Sequence, residues 1–256
     1  SKDGGYSWSP MGNIKDAIVD IATAPDDANI VYYATLSGVY KSTDAGISFS
    51  PLALNPGGAG SNNVTITSLA VARPGNGRII AVGTQDGDSS QYGGIYTLDE
   101  NKSLFWLNTN LGSYDVLAMA FSPNFATDRQ LVAVVTDEKD TLVITKVGDA
   151  GWGQVFGDAT IKSVVARAAT IAFPEGYGAT TEGQALFVGL DTGSENGDVY
   201  RVDGQRSPSR SPATDLNIGA ADYLDSVDVT GLAISGKGTI AYLLAGAANS
   251  TQVYIS

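Results

Sequence analysis

The side chains that this sequence offers for catalysis or metal binding act mainly through oxygen atoms. It contains 27 Asp and Glu residues against 15 Lys and Arg, and it has no His and no Cys. Ser-His-Asp and Cys-His triads, and zinc held by Cys or His, are therefore excluded. Two carboxylates facing each other across a sugar, about 5–9.5 Å apart, remain possible as a glycosidase pair. Two acidic clusters are candidates, although solvated charge on loops and strand edges is the more common explanation: Asp137, Glu138 and Asp140, and Asp222, Asp225 and Asp228.

A metal site in such a chain must use oxygen ligands, which makes Ca²⁺ the natural ion. Two acidic, Gly-rich loops are candidate ligand sets: Asp86 with Asp88, and Asp191 with Glu195 and Asp198. Neither has the spacing of an EF-hand loop, and ordinary hairpin tips have the same composition. We expect no cofactor other than calcium at these loops.

Three tyrosines lie beside Gly or Asp in loop-like sequence, namely Tyr92, Tyr177 and Tyr223. Aromatic rings that are exposed in such loops can stack on sugars or contact a partner protein. Most aromatic residues at strand positions belong to a core, so these three are the best candidates for exposed ligand-binding rings.

The net charge of −12 excludes several classes of partner. A nucleic-acid surface needs clustered Lys and Arg, and so does binding to an anionic membrane. No stretch reaches the roughly 18 consecutive apolar residues of a membrane span. The chain opens at Ser1 without a signal segment, so we expect a processed product or a piece of something longer.

Five similar units recur along the chain. An aliphatic residue followed by Ala marks each one, and the Ala positions are 48, 50, 52 and 61 residues apart: Ile21-Ala22, Leu69-Ala70, Met119-Ala120, Ile171-Ala172 and Leu232-Ala233. A β-rich run comes after each anchor, and then a strand centred on Tyr40, Tyr96, Ile144, Tyr200 or Tyr254. Units of about 50 residues with three or four short strands are typical of β-propeller blades. We therefore predict one all-β propeller domain over 1–256, with units at 14–63, 64–112, 113–163, 164–224, and 225–256 joined by 1–13.

The two ends of the chain complement each other. Residues 253–256 (Val-Tyr-Ile-Ser) match 39–42 (Val-Tyr-Lys-Ser), and residues 1–8 match residues 42–49, which continue the first unit. The N-terminal stretch therefore resembles the outermost strand that the last unit lacks. Two architectures fit, a five-bladed ring closed by pairing this strand with the C-terminal blade, and a slice of a larger propeller with six to eight blades. The matching ends favour the closed ring.

Two segments resemble the Asp-box, Ser-x-Asp-x-Gly-x-(Ser/Thr)-(Trp/Phe), of the bacterial-neuraminidase-repeat propellers. One contains Ser42, Asp44, Gly46 and Phe49, and the other contains Ser1, Asp3, Gly5 and Trp8. The family includes sialidases, sortilin-like receptors and xyloglucanase-type glycosidases. The resemblance implies that the Asp residues form turns at the blade periphery, away from the mouth where ligands bind. The Arg-Ile-Pro motif of sialidases is absent, and the nearest sequence is Ala72-Arg73-Pro74.

These observations favour a secreted or cell-surface module that is not an enzyme and that binds other protein subunits or surface glycans. A surface-layer, sheath or filament subunit, forming a homo-oligomer or polymer, suits the repeats and the acidic composition. The alternative is a glycoside hydrolase-like enzyme with two carboxylates in the propeller mouth. A receptor-like module that recognises a peptide on a blade edge is a third class.

Overall fold

A computed structural model describes residues 5–8, 14, 16–161, 164–178, 185–204, 211–218, 226–236 and 241–256. The regular secondary structure in this part of the chain is almost entirely β. Its only α-helix is the single turn α1 (Phe125–Asp128), and Pro56–Gly58 forms one 3-10 turn. No helix in these ranges has the length and apolarity that crossing a membrane requires.

The strands form five sheets that succeed one another along the chain. Within each sheet consecutive strands pair in antiparallel fashion, in the order of the sequence. The first sheet contains β1 (Asp20–Thr23), β2 (Val31–Ala34), β3 (Val39–Ser42) and β4 (Ser50–Pro51), and the second contains β5 (Val64–Ala72), β6 (Ile79–Asp86), β7 (Gly94–Asp99) and β8 (Leu107–Asn108).

The third sheet contains β9 (Asp115–Phe121), β10 (Gln130–Thr136), β11 (Thr141–Val147) and β12 (Ala159–Ile161). The fourth contains β13 (Ala168–Ala172), β14 (Leu186–Asp191), β15 (Val199–Val202) and β17 (Thr214–Asp215), and the fifth contains β18 (Val229–Ser235), β19 (Tyr242–Ala247) and β20 (Val253–Ile255). One short strand crosses between units, because β16 (Ser211–Pro212) pairs in parallel with β12 at the edge of the third sheet.

The repeat seen in the sequence corresponds to strand positions. Each aliphatic-Ala anchor lies in the first strand of its sheet, and each anchor centred on Tyr or Ile lies in the third strand. The β-rich runs between them form the second strands. Five antiparallel sheets are thus confirmed, as the spacing predicts.

The core consists of apolar layers between neighbouring sheets. One layer lies between each successive pair, from the first and second sheets to the fourth and fifth. The third sheet is covered on both faces, and every residue of β10 is buried. Its Val-rich, non-alternating sequence is what burial on both faces requires.

The first and fifth sheets each have one uncovered face. Ile21 of β1 is 58% exposed, and Val253 and Ile255 of β20 are 65% and 67% exposed. Ring closure by the N-terminal strand is not observed within the described ranges. Residues 5–8 are outside any strand there, whereas Ser1 and Asp3 lie outside the described residues.

Candidate functional site

The turns between the second and third strands bring most of the predicted site residues to one end of the sheets. We call this end the hairpin face, and it comprises residues 35–38, 87–93, 137–140, 192–198 and 248–252 with the adjoining strand ends. It carries the following candidates: Asp86, Asp88, Tyr92, Asp137, Glu138, Asp140, Asp191, Glu195, Asp198 and Asp228. Tyr223, Asp222 and Asp225 lie outside the described residues.

Asp115, at the start of β9, binds the hairpin of the preceding sheet. Its Oδ1 accepts hydrogen bonds from the backbone N–H groups of Asp86 (2.8 Å) and Gly93 (2.9 Å). The side chain is 7% exposed. Burial raises the pKa of Asp115, and the negative charges of Glu138 and Asp86 raise it further. Asp115 therefore holds its proton more strongly than an exposed Asp does.

Asp228 occupies the equivalent position before β18. Its Oδ1 accepts from the backbone N–H of Thr192 (2.9 Å), the hydroxyl of Thr192 (2.8 Å) and the N–H of Gly197 (2.9 Å). Its Oδ2 accepts from the N–H of Glu195 (2.9 Å). Burial pushes the pKa of Asp228 upward, but these hydrogen bonds together outweigh it, so the pKa lies below its usual value. This side chain fixes a loop and stays ionised.

Asp115 is not among the residues predicted from the sequence, and Asp228 is predicted only as part of an acidic cluster. A signal was present, because Asp directly precedes the buried Val116 or Val229 at the start of a first strand. Asp20 of β1 is related, since its Oδ2 accepts the N–H of Leu69 (2.8 Å) on the neighbouring first strand.

Tyr92 lies beside Asp115 and is half-buried. Burial raises the pKa of its hydroxyl, as do the negative charges of Glu138, Asp137 and Asp115. Glu138 belongs to the next hairpin, and its Oε1 accepts the N–H of Ser90 (2.8 Å). The carboxyl groups of Asp115, Asp137 and Glu138 and the phenol of Tyr92 therefore lie close together between the second and third sheets.

Three of the predicted calcium ligands, Asp88, Asp191 and Asp198, accept hydrogen bonds from protein donors. Asp191 forms a two-bond ion pair with Arg167, with 3.0 Å between Oδ1 and Nε and 3.1 Å between Oδ2 and Nη2. Asp88 accepts from the side-chain amide of Asn63 (2.9 Å). Asp198 is 1% exposed, burial raises its pKa, and its Oδ1 accepts two backbone N–H groups.

In the part of the chain that the structure describes, no three acidic side chains group so that they could hold a metal ion. Calcium binding therefore gains no support from these loops, and it stays a prediction. Loss of thermal stability on adding a chelator would be its direct test.

Tyr177 is not the exposed ring that the sequence predicts. It is 3% exposed and packs in the layer between the third and fourth sheets. Its hydroxyl donates to Oε1 of Gln130 (3.2 Å), and its ring lies 4.6 Å from that of Phe173, centroid to centroid. The flanking glycines indicate a loop, but the loop turns inward and buries the ring.

The turn that resembles an Asp-box lies between β3 and β4. Asp44 accepts from the N–H of Ser48 (2.9 Å) and from two hydroxyl groups, those of Ser48 (2.6 Å) and Ser42 (2.7 Å). These hydrogen bonds, those from Ser48 foremost, lower the pKa of Asp44 to about 2. Gly46 has φ +87°, which a residue with a side chain adopts only with strain. Phe49 then packs edge-on against Tyr33, 4.8 Å between ring centroids.

An ion-pair network joins the first and second sheets at the opposite end from the hairpin face. Arg78 makes two 2.7 Å hydrogen bonds to Asp26, and Lys41 lies 2.6 Å from Glu100. Burial raises the pKa of the Tyr32 hydroxyl in this layer, and so does the nearby Glu100. Sequence patterns do not indicate this network, because it depends on which sheets are neighbours.

A cavity of about 410 Å³ also opens at that end, between the second and third sheets. Its wall includes Phe121, Phe125, Arg129 and Lys146, and it contains one carboxylate, Asp149. Since a glycosidase site needs two carboxylates, this cavity does not provide one.

Comparisons with known proteins support the fold. No protein family and no curated protein matches the chain. The structure is similar to an ancestral GH74 enzyme, with a TM-score of 0.64 and 16% identity over 97% of this chain. The chain has a β-propeller-like fold. A luciferin-regenerating enzyme (TM-score 0.48, 12% identity, 94% of this chain and 77% of that one) and U3-55K (0.40, 13%, 93% and 76%) are also similar, too distantly to carry an argument.

The chain spans 32% of the GH74 protein's length. That similarity corrects the expectation that the chain is not an enzyme, because a solved structure with a similar fold is a GH74 enzyme. Composition excluded particular triads and metals, but carboxylate chemistry needs neither His nor Cys. The prediction was therefore wrong to treat the missing residue types as evidence against catalysis.

Proposed function

We propose that this protein is a secreted or cell-surface binding and assembly module that joins other protein subunits through its terminal sheets. One observation carries the proposal, the uncovered apolar face of the fifth sheet. Tyr242, Leu244, Val253 and Ile255 point to that face and are 59%, 38%, 65% and 67% exposed. An exposed cluster of large apolar side chains marks an interaction surface in a water-soluble protein.

The first sheet presents a smaller exposed apolar face. Ile21 of β1 is 58% exposed there, beside its cross-strand partner Tyr33, which is 6% exposed and stacks on Tyr40 at 4.8 Å between ring centroids. The two faces are different surfaces of one chain. Contacts between them would be head-to-tail, which produces a closed ring or an open filament.

Light scattering and electron microscopy of the purified protein test this proposal. We expect particles larger than 26.4 kDa and a return to the monomer mass in Leu244→Lys and Ile255→Glu. Leu104→Lys is the matched control, because Leu104 is 83% exposed in the connection between β7 and β8 and belongs to neither terminal sheet. Monomers at all concentrations, or equal effects of the control, would refute the proposal.

We also propose that the chain is related to the Asp-box propellers, and the turn from Ser42 to Phe49 supports this relationship. The Asp44 hydrogen bonds there fix a peripheral turn. An extracellular location and surface glycans as further ligands follow from that kinship. Closure of the five sheets into a ring is one form that the assembly can take.

A second candidate function is binding or hydrolysis of glycans on the hairpin face. Asp115 favours it, because its pKa is raised and Glu138 and Tyr92 lie beside it. A protonated carboxylic acid near an ionised one is the pair that glycoside hydrolysis uses. The fold similarity to a GH74 enzyme points the same way.

A glycan array and a polysaccharide-hydrolysis screen test this second candidate. Asp115→Asn should abolish hydrolysis, and Tyr92→Ala should weaken binding, without unfolding the protein. Asp137→Asn is the control in the neighbouring hairpin, which also carries Glu138, since the pKa of Asp137 is lowered by a backbone hydrogen bond from Asp140. No glycan bound and no sugar released would exclude this function.

A further inference from the structure

We infer that the cavity of about 410 Å³ between the second and third sheets binds a small carboxylate whose body is apolar and aromatic. The cavity lies at the opposite end of the sheets from the hairpin face, and the residues that line it belong to neither terminal sheet. Its volume is within the range of cavities that hold small organic molecules in proteins.

The strand register of the third sheet builds one wall of this cavity. Phe121 of β9 is paired with Leu131 of β10, and Leu131 is paired in turn with Lys146 of β11. Directly paired residues of antiparallel strands project to the same face of a sheet, so these three side chains form one row. Arg129, which directly precedes β10, lines the cavity beside this row, and Ile79 of the second sheet lines it from the other side.

The apolar part of the wall suits a flat ring. Leu131 is 4% exposed, and the rings of Phe121 and Phe125 pack with 4.5 Å between their centroids. Both rings line the cavity together with Ile79 and Leu131. Aromatic rings pack favourably on one another in offset or edge-on contacts, so an aromatic ligand gains more here than an aliphatic one of the same area.

The charged part of the wall favours an anion. Arg129 and Lys146 line the cavity with one carboxylate, Asp149. Within the described ranges neither cation forms a salt bridge, whereas the other arginines there each pair with an Asp side chain: Arg73, Arg78, Arg167 and Arg201. The cavity is therefore locally positive in a chain whose net charge is −12, and a local positive field attracts anions.

Both cations keep hydrogen-bond donors for a ligand. Arg129 donates through Nη2 to the carbonyl oxygen of Pro74 (3.2 Å), and Lys146 donates through Nζ to that of Ala150 (2.6 Å). A guanidinium group has five N–H donors and an ammonium group has three, so further donors remain on each. A planar carboxylate is the anion that a guanidinium group binds with two parallel hydrogen bonds.

Arg129 adopts a backbone conformation that suits glycine better. Its φ is +55°, and its N–H donates to the carbonyl oxygen of Phe125 (3.1 Å) at the end of α1. Gly reaches this left-handed conformation without strain and is the residue that most often follows a helix. The guanidinium carbon lies 5.8 Å from the centroid of the Phe125 ring, over the aromatic wall. An Arg at a position that favours Gly indicates a task for its side chain, and anion binding uses that side chain.

NMR titration that detects the ligand, with naphthoate and its neutral analogue naphthamide, tests the inference on the full chain. We expect saturable binding of naphthoate and about 10-fold weaker binding of naphthamide, because only the carboxylate accepts charge-assisted hydrogen bonds. Arg129→Met and Lys146→Met should each weaken naphthoate binding by about 10-fold for the same reason. Arg201→Met is the matched control, because Arg201 lies on β15 of the fourth sheet and its loss should leave the affinity unchanged.

Arg129→Gly separates binding from folding. It should weaken naphthoate binding as Arg129→Met does and yet keep or raise the melting temperature, because Gly accepts the left-handed backbone without strain. A lower melting temperature with unchanged affinity would show that Arg129 serves the turn alone, and the inference would be overturned. Equal affinities for naphthoate and naphthamide, or no binding of either, would overturn it as well. Loss of binding in Ile255→Glu but not in Arg129→Met would place the ligand on the fifth sheet instead.

Discussion

Replacing Asp228 by Asn should destabilise the protein by about 2–4 kcal/mol, because four hydrogen bonds converge on a carboxylate that is only 5% exposed. An Asn amide keeps one acceptor oxygen and turns the other into a donor. If it keeps the oxygen that serves Thr192 and Gly197, its NH₂ group faces the N–H of Glu195. The loss of a charge-assisted hydrogen bond costs about 1.5–3 kcal/mol, and a buried N–H left without a partner costs about 1–3 kcal/mol. Relaxation of the hairpin reduces both costs.

Asp115→Asn is the matched substitution in the third sheet, and we expect it to change stability by less than about 0.5 kcal/mol. Both backbone bonds to Asp115 end on Oδ1, so an Asn amide retains them. Its NH₂ group then lies where Glu138 and Asp86 provide negative charge. The same change at equivalent positions therefore has different consequences.

Urea unfolding at pH 7 measures both effects, provided that the slope of free energy against urea is unchanged. The pH dependences should have opposite signs. Asp228 has a lowered pKa, so its contribution is present above about pH 4 and is lost as the pH falls through its folded-state value. Asp115 has a raised pKa, so its contribution is full below about pH 4 and is lost as the pH rises. Equal destabilisation by both substitutions would refute this reasoning.

Three further substitutions test the turns and the layers between sheets. Gly197→Ala should destabilise by about 2 kcal/mol or more in urea unfolding, because the added Cβ overlaps a backbone carbonyl of β14. Arg78→Met should cost about 1–3 kcal/mol by leaving Asp26 without its two-bond partner. The exposed pair of Arg201 provides the control, and Arg201→Met should stay within about 0.5 kcal/mol. Asp44→Ala should lower the melting temperature at pH 6, and the difference should vanish between pH 4 and pH 2, since the pKa of Asp44 is about 2.

Local patterns were enough to predict the strands. Alternation of Val, Ile and Tyr with turn residues sets each strand, and the aliphatic-Ala anchor identifies the first strand of every sheet, as at Met119-Ala120 in β9. One strand is an exception, because β16 joins the third sheet although it lies between two strands of the fourth sheet in the chain. That exception requires a contact between units, which a local pattern does not encode.

The candidate site was harder to predict because its hydrogen bonds connect residues of neighbouring sheets. Asp115 acquires its role from the hairpin at Asp86 and Gly93, 29 and 22 residues earlier in the chain. Tyr177 shows the opposite case, since the glycines on either side indicate exposure and the packing against Phe173 overrides them. The hairpin loops were found as candidates from composition, but the raised pKa of Asp115 follows only from its burial and the neighbouring negative charges.

The chain has two uncovered faces because its sheets are stacked in a row. A row of five sheets has four apolar layers and two outer faces, and lengthening the row leaves the number of outer faces at two. Only contact with itself or with another copy removes them. A polar outer face would make the row stable alone, as capping repeats do in solenoid proteins. Because Tyr242, Val253 and Ile255 are apolar instead, the sequence of the fifth sheet favours a covered state, and a head-to-tail contact supplies one.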